Sequence, residues 1–415
     1  MKLFTSTVFG FLLSLQLFGQ IYSGPIAKPL SGYGSDGLHT IGIESFSNPN
    51  FPTEDILIYH PSDLSTPVPT LFYSHAYGGN IPLTIQGLLN WTARKGYAMV
   101  FVPYQTAGVS VSERYENLLE GFRKAARDFP TIIDTTRVGF MGHSFGGGAT
   151  FATAYACFTE NNWGANGRLM HSSAPWYLFN ISQTELSNFP VDVKLVVEIY
   201  NDDPVNDHRM AADAFLNIGI PNSEKDFLKV YADSSSGYVY TAEHDLPMAY
   251  TDFDAMDYYA YYRIIDALCD YAFNGNLSAK DVALGNGSVN QVEMPIGLTN
   301  LEQTDYPTVT FPESNYGFPC SSVGNPRASY CGLLALDETS NESAIHLFPN
   351  PVESLLNIDA QDVSGLTLEI YNIEGQLVLT QAGAHTIDVS KLSNGVYYCR
   401  ILADHKHEFK KFVKQ

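Results

Sequence analysis

Between Asp55 and about Asn274, short apolar runs alternate with stretches whose apolar residues recur every three or four positions. The runs DILIYH (55–60), TLFYS (70–74), YAMVFV (97–102), RVGFM (137–141), RLMHSSA (168–174), VKLVVEIY (193–200) and DFLKVYA (226–232) predict strands. Several are apolar on both faces, the pattern of strands covered by helices above and below a sheet. The clearest helix spans 111–129. Ser110 and Glu113 form a capping box, and Tyr115, Leu118, Leu119, Phe122, Ala126 and Phe129 follow at helical spacing. A last helix, about 254–272, carries Tyr258, Tyr261, Tyr262, Ile265, Leu268 and Cys269, a stripe read as core. Strand–helix alternation on this scale predicts an α/β fold with a mainly parallel sheet flanked by helices.

Outside that span the texture changes. Residues 275–333 are rich in Gly, Asn, Pro and Ser without clear periodicity, which predicts a loop-rich extension packed on a single α/β domain over 24–335. LDETSNESA (336–344) reads as a polar linker. From 345 to 415, alternating strands separated by Glu-Gly and Asn-Gly turns predict a small β-sandwich. At the other end, Lys2 is followed by an apolar run from Leu3 to Phe18, which predicts a signal peptide over 1–23 with cleavage between Gly19 and Gly24. That run is short for a membrane span, and no later run reaches about 18 uninterrupted apolar residues.

The length of 415 residues suits two or three domains, and the formal net charge of −21 repels phosphate backbones, so nucleic acid is not an expected partner. Export implies an oxidising environment. Of the five cysteines, Cys320 and Cys331 flank the loop CSSVGNPRASYC, where a disulfide is expected. Cys157, Cys269 and Cys399 sit in apolar patterns and read as core; no spacing suggests a metal site.

The chemistry concentrates in RVGFMGHSFGGGAT (137–150). Gly142 to Gly147 matches G-x-S-x-G, directly after a buried strand and before a helix former. A serine hydroxyl attacks only when a base takes its proton. A sharp strand-to-helix turn lifts Ser144 clear of the sheet, and glycines at Gly142 and Gly146 relieve the crowding. Gly147 and Gly148 let the next helix pack close. The base should lie in a late loop: His244, in YTAEHDLPM, follows strand 226–232 and precedes the last helix. His143 belongs to the turn itself, His171 to a strand and His208 to a helix start, while His39 and His60 precede the serine. The acid should end a strand between serine and histidine, where VKLVVEIYNDDPVND offers Asp203, with Asp202 as runner-up and Asp207 read as a helix cap.

Two resemblances extend this reading. In order along 40–275, these elements resemble the α/β-hydrolase superfamily, and within it the dienelactone-hydrolase and bacterial cutinase, or polyester-hydrolase, branch. His75-Ala76-Tyr77-Gly78-Gly79 resembles its H-G-x-G-G loop, with Ala76 in a usual glycine position. That likeness implies an oxyanion hole from the N–H groups of Tyr77 and Phe145. SSAPWYLF places Trp176 where relatives carry a Pro-Trp, which implies a substrate-stacking indole opposite Tyr77; a core tryptophan is the alternative reading. Separately, 345–415 resembles the C-terminal sorting domain of Bacteroidetes type IX secretion cargo, through FPNP, YNIEGQLV, LSNGVYY and the terminal KKFVK. That implies export, with the type IX machinery as partner.

The combined expectation is a secreted serine hydrolase of carboxylic esters with a Ser144–His244–Asp203 triad, needing no cofactor and no metal, and carrying no stable membrane span. Alternatives are an esterase of glycan side groups, a peptidase, and a non-catalytic binding protein on a hydrolase scaffold.

Overall fold

The computed structural model describes residues 21–248, 253–307, 311–334, 346–359, 367–372, 377–403 and 406–415. Most of the signal peptide and the linker expected from the sequence lie outside these residues. The chain divides into two units, Met1–Leu336 and Asp337–Gln415.

The first unit is built on a nine-stranded mixed sheet. Its strands are β1 (Ile41–Ser47), β2 (Asp55–Pro61), β3 (Val68–Ser74), β4 (Ala98–Phe101), β5 (Ile133–His143), β6 (Arg168–Ser173), β7 (Lys194–Tyr200), β8 (Lys225–Val230) and β11 (Glu302–Thr304). A separate two-stranded ribbon, β9 (Asp233–Ser235) and β10 (Tyr238–Tyr240), lies between the last two in sequence. The sheet order is β1-β2-β4-β3-β5-β6-β7-β8-β11. The pairings from β4 through β3, β5, β6 and β7 to β8 are parallel; those of β2 with β1 and β4, and of β11 with β8, are antiparallel.

Alternation along the strands decides which face each side chain covers. Leu71, Tyr73, Met99, Phe101, Met141, Leu169 and Val196 pack with Leu88, Leu89 and Trp91 of α1 (Gln86–Arg94) and Ile264, Ile265 and Leu268 of α6 (Arg263–Asn274). Their neighbours Phe72, Val100, Val138, Phe140, Met170, Leu195 and Val197 pack against the other layer. There Leu118 and Phe122 come from α2 (Val111–Asp128), Phe151 and Ala154 from α3 (Phe145–Thr159), Leu186 from α4 (Gln183–Ser187), and Ala211 and Phe215 from α5 (His208–Asn217). Two dry layers explain why the central strands read as continuous apolar runs. The capping box of α2 is present: Ser110 Oγ accepts from the Glu113 N–H at 3.2 Å, and Glu113 Oε2 accepts from the Ser110 N–H at 2.6 Å.

The extension departs from its expected loop character. It holds short helices at Leu277–Ala283, Val289–Val292 and Ala328–Leu334, and β11 adds the edge strand to the sheet. These pieces are too short for periodicity to reveal them. The last helix begins with a wider turn over Asp257–Tyr262 before α6. The Cys320–Cys331 bridge is present, with Cα atoms 5.8 Å apart; Cys157, Cys269 and Cys399 are buried and free.

The second unit has two antiparallel sheets, three-stranded over 346–388 and four-stranded over 367–414. Leu356, Ile358 and Ile387 from one meet Leu368, Ile370, Ile401 and Phe412 from the other in one apolar cluster.

Candidate active site

In the sheet order, β4 lies on one side of β3 and β5 on the other. Chain leaving β3 therefore turns one way and chain leaving β5 the other, which opens a crevice at their carboxyl ends. Ser144 stands there, between the end of β5 and the start of α3.

Its backbone is held at φ 56°, ψ −118°, a conformation costing a non-glycine residue on the order of 1–3 kcal/mol. Three hydrogen bonds over-determine it. The Ser144 N–H donates to the Ser173 carbonyl at 3.0 Å, and the Ser144 carbonyl accepts from the N–H groups of Trp176 (2.8 Å) and Gly148 (3.1 Å). The glycines around it answer to close backbone approach. A Cβ on Gly142 would lie 2.2 Å from the Gly146 carbonyl oxygen, and one on Gly148 would lie 2.6 Å from that of Trp176.

His244 follows the β9–β10 ribbon. Its Nδ1–H donates to Asp203 Oδ2 at 2.7 Å, which leaves Nε2 to accept from the Ser144 hydroxyl at 2.8 Å. Asp203 is buried, in the turn after β7, and its Oδ1 accepts from the N–H groups of Val205 (2.7 Å) and Asn206 (3.2 Å). The two neighbouring acids point elsewhere. Asp202 is exposed and its Oδ1 accepts from the Asn201 amide. Asp207 caps α5 by accepting from the Arg209 N–H at 3.0 Å.

A second set of residues holds these three in place. His143 Nε2–H donates to the His244 carbonyl at 2.6 Å. Full burial, with His244 adjacent, keeps the His143 ring well below the usual histidine pKa and therefore neutral. His75 Nδ1–H donates to the Ala76 carbonyl at 2.7 Å, and its Nε2 accepts from the Tyr104 N–H at 3.2 Å. Its ring stacks 3.9 Å from that of Tyr104, and burial pushes its pKa down to about 4. The loop carrying Tyr77 is thereby pinned to Tyr104, whose ring lies 5.1 Å from that of Phe145. The amide of Asn206 donates to the Ala174 carbonyl at 2.8 Å and lies 3.4 Å from Ser144 Oγ.

The cleft above the serine has a volume of about 430 Å³ and is lined mainly by apolar groups, among them Tyr77, Phe145, Trp176, Val205 and Phe318. Tyr77 is largely exposed, and its hydroxyl donates to the Thr106 carbonyl at 2.9 Å. The Arg114 guanidinium lies over the rings of Tyr77 and Phe145, at 5.3 and 5.7 Å. Trp176 is half-buried, stacked on Phe145 and Phe179 at 5.6 and 5.5 Å. Phe145 itself is buried as the first residue of α3, where the N–H groups have no intrahelical acceptor. Among the described residues, no group of three or more His, Cys, Asp or Glu side chains is arranged to hold a metal ion.

The model of one family, the secretion system C-terminal sorting domain, matches residues 346–415. The second unit is a type IX secretion sorting domain. No curated protein matches the chain. The sorting domain marks the protein for secretion and the cell surface and implies engagement with the type IX machinery. No helix among the described residues is long and apolar enough to cross a membrane.

None of the site side chains comes from the sorting domain. Sequence reasoning brought forward Ser144, His244, Asp203, Tyr77, Phe145 and Trp176, and all six meet around one crevice. It missed the supporting roles of Asn206, His75 and His143, and it missed Arg114 and Phe318 altogether. Asn206 carried a faint signal, three residues after the acid. Phe318 carried none, since it lies in the segment without periodicity.

Proposed function

We propose that the first unit is a serine hydrolase of the α/β-hydrolase superfamily that cleaves carboxylic esters. The observation that carries this reading is the continuous chain from Ser144 Oγ to His244 Nε2 (2.8 Å) and from His244 Nδ1 to Asp203 Oδ2 (2.7 Å), on a serine held at positive φ. A serine serving only structure has no use for that backbone strain, nor for a buried carboxylate orienting its partner histidine.

In this reading Ser144 Oγ bonds to the ester carbonyl carbon while His244 Nε2 takes the hydroxyl proton. The carbonyl oxygen becomes an oxyanion, to which the N–H groups of Tyr77 and Phe145 are assigned as donors. Collapse breaks the carbon–alkoxy bond, and His244 returns its proton to the departing alcohol. Water then adds to the acyl-Ser144 ester, with His244 again taking a proton, and the acid leaves as the Ser144 hydroxyl is restored. Asp203 holds the imidazole in the tautomer that presents a lone pair to the serine and stabilises the imidazolium. The apolar cleft lined by Tyr77 and Trp176 favours aromatic or polymeric esters over small polar ones.

The test is hydrolysis of 4-nitrophenyl acyl esters by the wild type and by Ser144→Ala, with labelling of Ser144 by a fluorophosphonate read by mass spectrometry. The variant should lose on the order of 10³–10⁶ in kcat. Retention of more than about a tenth of the wild-type rate would remove Ser144 from the reaction.

A further inference from the structure

The cleft has one wall that the first 275 residues do not supply. Phe318 comes from the extension, yet it lines the cleft over Ser144. Residues 317–318 run beside the turn that carries the acid. The Gly317 N–H donates to the Pro204 carbonyl at 2.9 Å, the Phe318 N–H to the Val205 carbonyl at 2.7 Å, and the Asp207 N–H to the Phe318 carbonyl at 3.2 Å. The next residues are tied down as firmly. The Tyr177 hydroxyl donates to the Pro319 carbonyl at 2.8 Å, and the Cys320 N–H donates to Asp207 Oδ2 at 3.0 Å. The Cys320–Cys331 bridge closes the loop behind them, and Arg327 in that loop forms a buried ion pair with Asp213 of α5.

All this order holds a phenylalanine 43% exposed. Its ring meets Trp176 edge-to-face at 5.7 Å and 84°, and Tyr177 at 6.3 Å and 89°. The ring is anchored on both sides by backbone hydrogen bonds and continues the apolar lining of Tyr77, Phe145, Trp176 and Val205 into one exposed patch, the kind of surface that takes a ligand. Edge-to-face geometry with Trp176 leaves the two rings as adjacent walls of one corner.

We infer that the 311–331 segment is a disulfide-stapled strap that makes Phe318 a specificity-determining residue, selecting esters with an aromatic ring beside the scissile carbonyl. The inference rests on the ester-hydrolase reading for its chemistry but concerns binding alone. The strap joins the acid turn through backbone pairing, so its position relative to Ser144 is set by the fold. The bridge keeps residues 320–331 from pulling that pairing apart.

The experiment is a titration of ethyl benzoate and ethyl acetate into full-length Ser144→Ala protein, which cannot turn over either ester, followed by ligand-detected NMR. Adding Phe318→Ala should weaken ethyl benzoate by about 2- to 13-fold, the worth of one aromatic pair, and change ethyl acetate less than about 2-fold. Phe318→Leu, which keeps apolar bulk without the aromatic face, should fall between. Cys320→Ser with Cys331→Ser should reproduce the Phe318→Ala selectivity loss, with melting curves checking that each variant is folded. Equal weakening of both esters by Phe318→Ala, or no weakening of ethyl benzoate, overturns the assignment of Phe318. An unchanged benzoate affinity in a folded cysteine double variant overturns the stapling. Turnover of ethyl benzoate by the wild type is followed in parallel. No turnover together with Phe318-dependent binding sinks the hydrolase reading and leaves the strap standing; turnover with Phe318-independent binding does the reverse.

Discussion

Gly146→Ala puts the serine turn under the most direct stress. Gly146 is the second residue of α3, and an added Cβ would lie 1.8 Å from the Ser74 carbonyl oxygen, 2.4 Å from its carbon and 2.6 Å from the His75 carbonyl oxygen. All three are backbone atoms, so no rotamer change relieves them. Ser74 ends β3 in the middle of the sheet, in register with Gly142, and would have to retreat by more than an ångström. Two effects compete. Alanine is the better helix former by about 0.8–1.0 kcal/mol. Overpacking costs about 1–3 kcal/mol, and more where backbone must move. The second wins because the clash is with backbone, and a net loss of up to about 2 kcal/mol is expected. Activity should fall further than stability, because the loop that retreats carries Tyr77. In the proposed mechanism the Tyr77 N–H is an oxyanion donor, and losing one such donor costs about 10²–10³ in kcat. Urea unfolding followed by circular dichroism, beside initial rates on 4-nitrophenyl acetate, measures both. Gly121→Ala is the control. It crowds Val102 side-chain atoms, the nearest at 2.5 Å, in the α2–sheet contact, so it should lower stability with kcat kept. A Gly146→Ala protein as stable as the wild type, with turnover within threefold, would refute the claim that close approach of the β3 loop requires glycine there.

Further expectations follow from the same geometry. Asp203→Asn should lower kcat by about 10⁴, the loss the trypsin-family triad shows for the same change, whereas Asp202→Asn, on an exposed side chain, should stay within a few-fold; a dead Asp202 variant would reverse the assignment. Trp176→Ala should cost up to about 3–5 kcal/mol in urea unfolding, because the indole packs on Phe145, Tyr177, Phe179 and Phe318; Trp176→Phe should keep most of that stability, and equal stability of Trp176→Ala and wild type would refute the packing role. His75→Asn should flatten the acid limb of stability. Burial lowers the folded-state pKa to about 4 while the unfolded chain titrates near ~6.5, so the unfolded state takes up the proton first. The stabilising effect is whole above pH ~6.5 and is lost as pH falls toward 4, about 2.5 kcal/mol by pH 4.5. The opposing Asp226, raised by burial to about 6, is common to both proteins and cancels in their difference. Unfolding curves at pH 7 and 4.5 that shift in parallel for His75→Asn and wild type would refute it.

Where the information is local, the sequence determined the outcome. A buried strand followed by G-x-S-x-G and a helix former can be read as a sharp strand-to-helix turn at the serine, because the close approach of Gly142 to the Gly146 carbonyl lies within five residues. Short apolar runs placed seven of the strands in the main sheet, and Ser110 with Glu113 placed the α2 capping box, since each depends on a residue and its near neighbours. Signal-like and sorting motifs are likewise contiguous in the chain.

Tertiary structure decided what depends on residues far apart in sequence. Asp202 and Asp203 are adjacent and chemically alike. The turn sends the first N–H to the Ala242 carbonyl at 3.0 Å and the second back to that of Tyr200 at 3.1 Å, and only then does one carboxylate face His244. β1 and β11 are short or half-exposed edge strands, and pairing with β2 and β8, rather than their own pattern, makes them strands. Phe318 reaches the cleft because a backbone pairing spans more than a hundred residues and a disulfide holds the loop behind it. Such contacts leave no periodic trace, because what selects them is the hydrogen bonding and packing on a surface that exists only once the sheet has formed, which offsets the entropy of closing long loops.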